Sequence, residues 1–375
     1  MPGLLPDVDP DGLLEYSVVF TDRSLNHMSQ AFQGVMRDIS AMLKQVYHAQ
    51  AVALVPGGGT YAMEAVARQF ATHRKCLVIR NGWFSFRWTQ IFEMGGIPSE
   101  AIVLKARPVE DGRQPAYAPA PLAEVVAAIR EHRPEVVFAP HVETSSGIIL
   151  PDAYLRAVGE AVREIGGLFV LDCIASGTVW VDMEACAVDV LISAPQKGWS
   201  GSPSCGLVML GARARERIDA TTSTSFACDL RKWLQIMEAY ENGGFAYHAT
   251  MPTDALARLR DVMREAETIG FDTLRERQQT LGRKVRALLA AKGIKSVAAN
   301  GFEAPGVVVS YTDDDGVQNG RKFLDAGLQI AAGVPLQCDE GADFKTFRLG
   351  LFGLDKLADI DRTITHLATA LDRVG

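Results

Sequence analysis

Lysine is an unusual residue to find at the carboxyl end of a buried strand. Residues 189–194 read DVLISA, and Pro195-Gln196-Lys197-Gly198 follows at once. Lysine is normally left in solvent, so an amine in this place points to nucleophilic or proton-transfer chemistry. Asp172 stands 25 residues earlier (197 − 172), in the apolar run LFVLDC (168–173). A carboxylate buried there is costly unless it meets a cation or hydrogen-bond donors. A third feature follows AVALVP (51–56), where Gly57-Gly58-Gly59-Thr60 leads into a helix. Glycines let the backbone turn sharply, and the free amides of a helix N-terminus attract phosphate. Each feature has a plainer counterpart: a solvated loop lysine, a structural ion pair, a tight turn. The glycine run is also not a dinucleotide fingerprint, because position 62 is Ala and GxGxxG is not met.

The three gain weight from the elements that must position them. AVALVP, KCLVIR (75–80), EVVFAP (135–140), LFVLDC, DVLISA and GLVMLG (206–211) read as short buried strands. Helical patterns lie between several of them: AMEAVARQFA, WFSFRWTQIFEMGG and AYLRAVGEAVREIGG. Strands apolar on both faces and separated by helices predict an α/β fold with a mostly parallel sheet covered on both sides. Ligands of such sheets sit beyond the carboxyl ends of the strands, where all three features fall. From about residue 253 long amphipathic helices take over, then the strands APGVVVSYT and FKTFRLGLFG, and a closing helix DKLADIDRTITHLATALDRV with Asp355 as its N-cap. We expect a large domain over 16–252 and a smaller α+β domain over 253–375, joined by the N-terminal segment 1–15.

A lysine, an aspartate and a phosphate cradle on one sheet edge are what pyridoxal phosphate requires. The lysine binds its aldehyde as a Schiff base, the aspartate keeps the pyridine nitrogen protonated, and the cradle anchors the phosphate. A flat partner for the ring is offered by Asn81-Gly82-Trp83-Phe84 after KCLVIR. With GGGTYAMEAV, NGWFSFRW, HVETSSGII, LDCIASG, SAPQKG, AYHATMP and FRLGLFG in this order, the chain resembles the class V aminotransferases of fold type I. That group includes alanine–glyoxylate, serine–glyoxylate and 2-aminoethylphosphonate–pyruvate aminotransferases, and the resemblance spans roughly residues 30–375.

The resemblance implies roles. Gly58, Gly59, Thr60 and Gln196 would bind the cofactor phosphate. Phe84 would stack on one face of the ring and Ile174 pack on the other. Ser145 would hydrogen-bond the phenolic oxygen side, Asp172 would pair with the ring nitrogen, and Lys197 would be the catalytic lysine. Arg348 would fork onto the substrate carboxylate. Tyr247 and Thr250 would reach the phosphate of the neighbouring subunit, implying a homodimer with shared active sites. The implied activity is ping-pong transfer of an amino group from a small amino acid to a 2-oxo acid such as glyoxylate or pyruvate. The alternatives are a lyase or cysteine desulfurase, a 2-aminoethylphosphonate-type amine transaminase, or a cofactor-binding module without activity; a nicotinamide enzyme is more distant.

Some residues depart from the pattern. The N-terminal stretch YSVVFTDRSLNHM has no GPG- or GPT-type loop, and Gly58 stands where serine is common. Phe84, Phe86 and Trp88 are expected to shape the pocket. Cys338, ten residues before Arg348 (348 − 338), is weighed as a desulfurase-like cysteine, and His141 beside Glu143 as a functional or structural histidine. The six cysteines form no CxxC pair and suggest no metal site. A net charge of −7 argues against nucleic acid or anionic membrane as a partner. No run of 18 apolar residues and no signal peptide is apparent, so a cytoplasmic enzyme with reduced thiols is expected.

Overall fold

The computed structural model describes residues 13–374. Residues 1–12 of the expected N-terminal segment lie outside the described residues, as does Gly375. Helix α1 (Gln30–Tyr47) starts at Ser29, whose hydroxyl accepts from the Phe32 amide at 3.1 Å. There follow β1 (Ala51–Pro56), α2 (Gly59–Phe70), β2 (Lys75–Arg80), α3 (Trp83–Gly95) and β3 (Glu100–Lys105). A short side hairpin, β4 (Arg107–Pro108) and β5 (Tyr117–Ala118), leads to α4 (Leu122–His132). Next come β6 (Val136–Pro140), α5 (Asp152–Glu164), β7 (Leu168–Asp172), β8 (Val190–Ser193), β9 (Cys205–Leu210), α6 (Ala212–Ile218) and α7 (Leu230–Glu241).

Among the described residues the main sheet has the order β1-β9-β8-β7-β6-β2-β3. Strands β8, β7, β6, β2 and β3 run parallel, while β9 is antiparallel to both β8 and β1. The exception has a local cause. No helix separates β8 from β9, and a parallel neighbour needs a crossover of a dozen or more residues. Since β9 reverses twice, β1 points the same way as β8. The carboxyl ends of β1, β2, β6, β7 and β8 therefore share one edge. Strands β6, β7, β8 and β9 are buried along their whole length, as a sheet covered on both faces requires.

The C-terminal part contains α8 (Thr253–Ile269), α9 (Phe271–Ala291), β10 (Val307–Tyr311), α10 (Asp315–Gln318), α11 (Arg321–Asp325), β11 (Ala331–Ala332), β12 (Thr346–Gly350), α12 (Leu354–Ala358) and α13 (Ile360–Val374). Its sheet is antiparallel, in the order β10-β12-β11. The hydrophobic contacts change hands inside α8 and not at residue 252. Leu256, Leu259 and Met263 belong to the core of the main sheet, and Ala266 to that of the C-terminal part. The expected closing helix is also two. Asp355 lies in the first turn of α12 and does not cap it. The chain leaves helical geometry at Asp359, whose carboxylate accepts from the Arg362 amide at 2.9 Å and starts α13. No helix among the described residues is long and apolar enough to cross a membrane. All six cysteines are buried and unpaired.

Beneath the loop that carries Lys197 lies an aromatic cluster. Trp199 is fully buried, with Trp180 at 4.6 Å, Phe271 at 6.0 Å and Tyr47 at 6.3 Å between ring centroids. Truncating a buried tryptophan loses both transfer energy and packing. Trp199→Ala should therefore cost about 3–5 kcal/mol in denaturant unfolding. A loss below about 1 kcal/mol would show that the cluster does not support the loop.

Candidate active site

A cavity of about 210 Å³ opens at the shared sheet edge. Gly59, Thr60 and Met63 reach it from α2, Phe84 and Arg87 from α3, and Val142 and Thr144 from the loop after β6. Asp172 enters at the end of β7, Ile174 and Ala175 just after it, and Gln196 and Lys197 after β8. Close approach is built in at two glycines. A Cβ on Gly59 would lie 2.5 Å from Ile174 Cδ1, and one on Gly82 would lie 2.0 Å from Ser145 Oγ. Only glycine allows α2 and α3 to start so near these loops.

Lys197 is half-buried, with its Nζ 5.9 Å from the Phe84 ring centroid and 5.7 Å from that of Phe352. It makes no hydrogen bond or ion pair among the described residues. Burial pushes its amine below the ordinary lysine value; Asp172 pulls it back in part, and the Arg348 guanidinium lowers it again. Asp172 is buried and accepts from the Ile174 amide at 2.9 Å. Burial raises its carboxyl to about 6, against the lowering effect of that amide and of Lys197. Helix α2 begins at Gly58 with no side-chain cap, so its first amides stay free for a guest.

Several expected residues fall elsewhere. Ser145 is fully buried and does not line the cavity. Its Oγ accepts from the Trp83 amide and donates to Glu143 Oε1, both at 2.8 Å. Thr144, one residue earlier, is the hydroxyl that reaches the cavity. Gly58 sits behind the lining, at the cap of α2. Tyr247 and Thr250 bond each other at 3.1 Å in an exposed segment and do not line the cavity. Trp88 is not a pocket residue: it is fully buried against Phe138, with centroids 4.5 Å apart. Phe86 lies under Arg80, 4.7 Å from its Cζ. Arg348, on β12, places its Cζ 5.5 Å from the Phe84 ring, with its Nε bonded to the Ala332 carbonyl at 2.7 Å.

Two residues escaped the sequence reading. Glu143 is fully buried and accepts from the amides of Phe84 (3.1 Å), Ser85 (2.9 Å) and Ser145 (3.0 Å), and from both serine hydroxyls. A carboxylate just after the buried strand EVVFAP was the available signal. Arg87 lines the cavity and donates to Thr60 Oγ1 at 2.9 Å. Its spacing of three from Phe84 puts both on one helix face. The weighed alternatives lose ground. Cys338 is buried, its thiol is pushed up to about 12, and its Sγ faces the Arg80 carbonyl at 3.5 Å, so it is no ready nucleophile. His141 is buried beside Ser176 at 2.7 Å, and burial lowers it to about 3, so it stays neutral.

No protein-family model matches the chain. A 2-aminoethylphosphonate–pyruvate transaminase of Burkholderia ambifaria is 29% identical over 328 residues, covering 85% of this chain and 81% of that protein. An alanine–glyoxylate aminotransferase of Rattus norvegicus is 25% identical over 359 residues, covering 93% and 82%. The crystal structure of an alanine–glyoxylate aminotransferase from Nostoc sp. superposes with a TM-score of 0.76 at 24% identity, covering 92% and 88%. The chain is thus similar in sequence to aminotransferases named for pyruvate or glyoxylate, and it shares the fold of such an enzyme. Pyridoxal phosphate is the cofactor of such enzymes, and the site's donor set fits it. An unpaired, desolvated lysine, a buried carboxylate in want of a cation, and an uncapped helix start all face one cavity.

The raised carboxyl of Asp172 has a sign. The folded chain without cofactor holds that proton more tightly than the unfolded chain, whose aspartate titrates near 3.8. Between about pH 4 and pH 6, raising the pH therefore favours unfolding, by up to about 3 kcal/mol in all. Asp172→Asn removes this dependence. In urea unfolding of cofactor-free protein the variant should gain on wild type as pH rises through this window, and the difference should level off above it. A stability difference independent of pH would contradict the assignment.

Proposed function

We propose that the chain transfers an amino group from a small amino acid to a 2-oxo acid such as glyoxylate or pyruvate, in a ping-pong cycle centred on Lys197. The observation that carries this reading is the unpaired Lys197 amine, lowered by burial, in one cavity with Asp172 and the free amides of α2. When bound, the cofactor supplies an electron sink for charge built up on the substrate's α-carbon. The chain's own residues do the rest. Gly58, Gly59, Thr60 and Gln196 would hold the phosphate, and Phe84 and Ile174 would pack on the ring. Thr144, which lines the cavity, would take the phenolic oxygen rather than Ser145. Asp172 favours a cation opposite its carboxylate. Lys197 would hold the cofactor covalently, and its Nζ would take the proton from the substrate's α-carbon and hand it back.

Arg348 keeps its two terminal nitrogens for the substrate carboxylate, since only Nε is spent on Ala332. Phe226, Phe245 and Tyr247 are exposed, and the Phe226 ring lies 4.4 Å from that of His248, within the segment of Tyr247 and Thr250. A second copy of the chain would cover them and bring these two residues to its neighbour's phosphate. The assembly is then a homodimer, and a cytoplasmic setting suits six unpaired thiols.

An amino acid alone should convert the bound cofactor to pyridoxamine phosphate, and pyruvate or glyoxylate should restore it. Product release with the cofactor absorbance restored in the absence of any 2-oxo acid would mean a lyase or desulfurase instead. Arg348→Ala should lower kcat/KM for amino acids about 30- to 4,000-fold, and Arg348→Lys should recover only part. If amines lacking a carboxylate suffered equally, Arg348 would not be the carboxylate clamp.

A further inference from the structure

The phosphate end of the cavity is poor in side-chain donors. The loop Gly57-Gly58-Gly59 has none, Thr60 offers a single hydroxyl, and Gln196 a neutral amide, so no charged donor comes from these segments. Arg87 stands beside it. It lies one turn after Phe84 on α3, its Cζ 5.0 Å from that ring's centroid, and its Nη1 bonds Thr60 Oγ1 at 2.9 Å. Among the described residues it forms no ion pair. A guanidinium carries five donors, and one of Arg87's is spent here on a neutral hydroxyl at the first turn of α2. The other nearby cations stand elsewhere: Lys197 comes from the loop after β8, its Nζ 5.9 Å from the Phe84 ring centroid, and Arg348 comes from β12, its Cζ 5.5 Å from that centroid.

We propose that Arg87 is a phosphate ligand, supplying the charge-assisted contact that the glycine loop lacks. The proposal rests on the cofactor reading above and adds to it a residue that reads the dianion rather than the ring. The backbone amides and the helix dipole would hold the phosphate from one side. Arg87 would hold it from the other, with its plane kept by stacking on Phe84. Thr60 then orients Arg87 as well as binding phosphate itself. A lysine could supply the charge but not the planar fork.

The test compares pyridoxal 5′-phosphate with pyridoxal, which has the same ring and aldehyde but no phosphate. Dissociation constants are measured by absorbance titration of cofactor-depleted full-length protein, for wild type, Arg87→Ala and Arg87→Lys. Near-ultraviolet circular dichroism checks that each is folded. Arg87→Ala should weaken pyridoxal phosphate about 10- to 150-fold and leave pyridoxal unchanged. Arg87→Lys should fall between. Inorganic phosphate should compete with pyridoxal phosphate less well in the alanine variant than in wild type. Equal weakening of both compounds would make Arg87 a support for Phe84 and overturn the proposal. Unchanged affinity for pyridoxal phosphate with a raised KM for acidic amino donors would also overturn it, placing Arg87 at the substrate. A wild-type protein that takes up neither compound would refute the cofactor reading, and this proposal with it.

Discussion

A fully buried carboxylate ties the two sides of the site together. Glu143, from the loop after β6, accepts hydrogen bonds from three backbone amides and two serine hydroxyls. Two of the amides are those of Phe84 and Ser85, in the first turn of α3, where a negative charge is favoured by the helix dipole. Left without these donors, such a group would cost several kcal/mol. Satisfied, it locks the start of α3 against the loop 142–147 and fixes where the Phe84 ring stands. The close approach is possible only because residue 82 has no Cβ. The same network explains why Ser145 cannot serve a guest: its hydroxyl is already spent between Trp83 and Glu143.

Around this anchor the site is an electrostatic balance that needs guests. Lys197, Arg87 and Arg348 bring three cations within 6 Å of the Phe84 ring centroid. Against them stand Asp172 and Glu143, and burial works against charge on Asp172, Lys197 and Arg348 alike. A phosphate and a carboxylate would offset the surplus positive charge, and a protonated ring nitrogen would satisfy Asp172. These are the charges carried by pyridoxal phosphate together with an amino or 2-oxo acid. The proposed function thus follows from which charges the cavity lacks as much as from which it holds.

Much of this was legible in the sequence because the strands are short, apolar and followed directly by the chemistry. The runs AVALVP, KCLVIR, LFVLDC and DVLISA announced both the sheet and its working edge. What stayed hidden depended on contacts between distant segments. That β9 runs antiparallel is a matter of connection, not composition. The break at Asp359 was masked by an apolar pattern continuous through α12 and α13. Ser145 and Thr144 are chemically similar neighbours, and only the partner Glu143 decides which one faces the cavity. Arg87 looked like any helix-surface arginine until α2 and α3 were placed side by side.

The central claim is that Lys197 is the residue to which the cofactor is joined. The direct measurement is borohydride reduction of the purified protein loaded with pyridoxal phosphate, followed by peptide mapping by mass spectrometry. The account predicts one stoichiometric label, on the peptide carrying PQKG, at Lys197. A label on another lysine, such as Lys75 or Lys345, with Lys197 unmodified would contradict it.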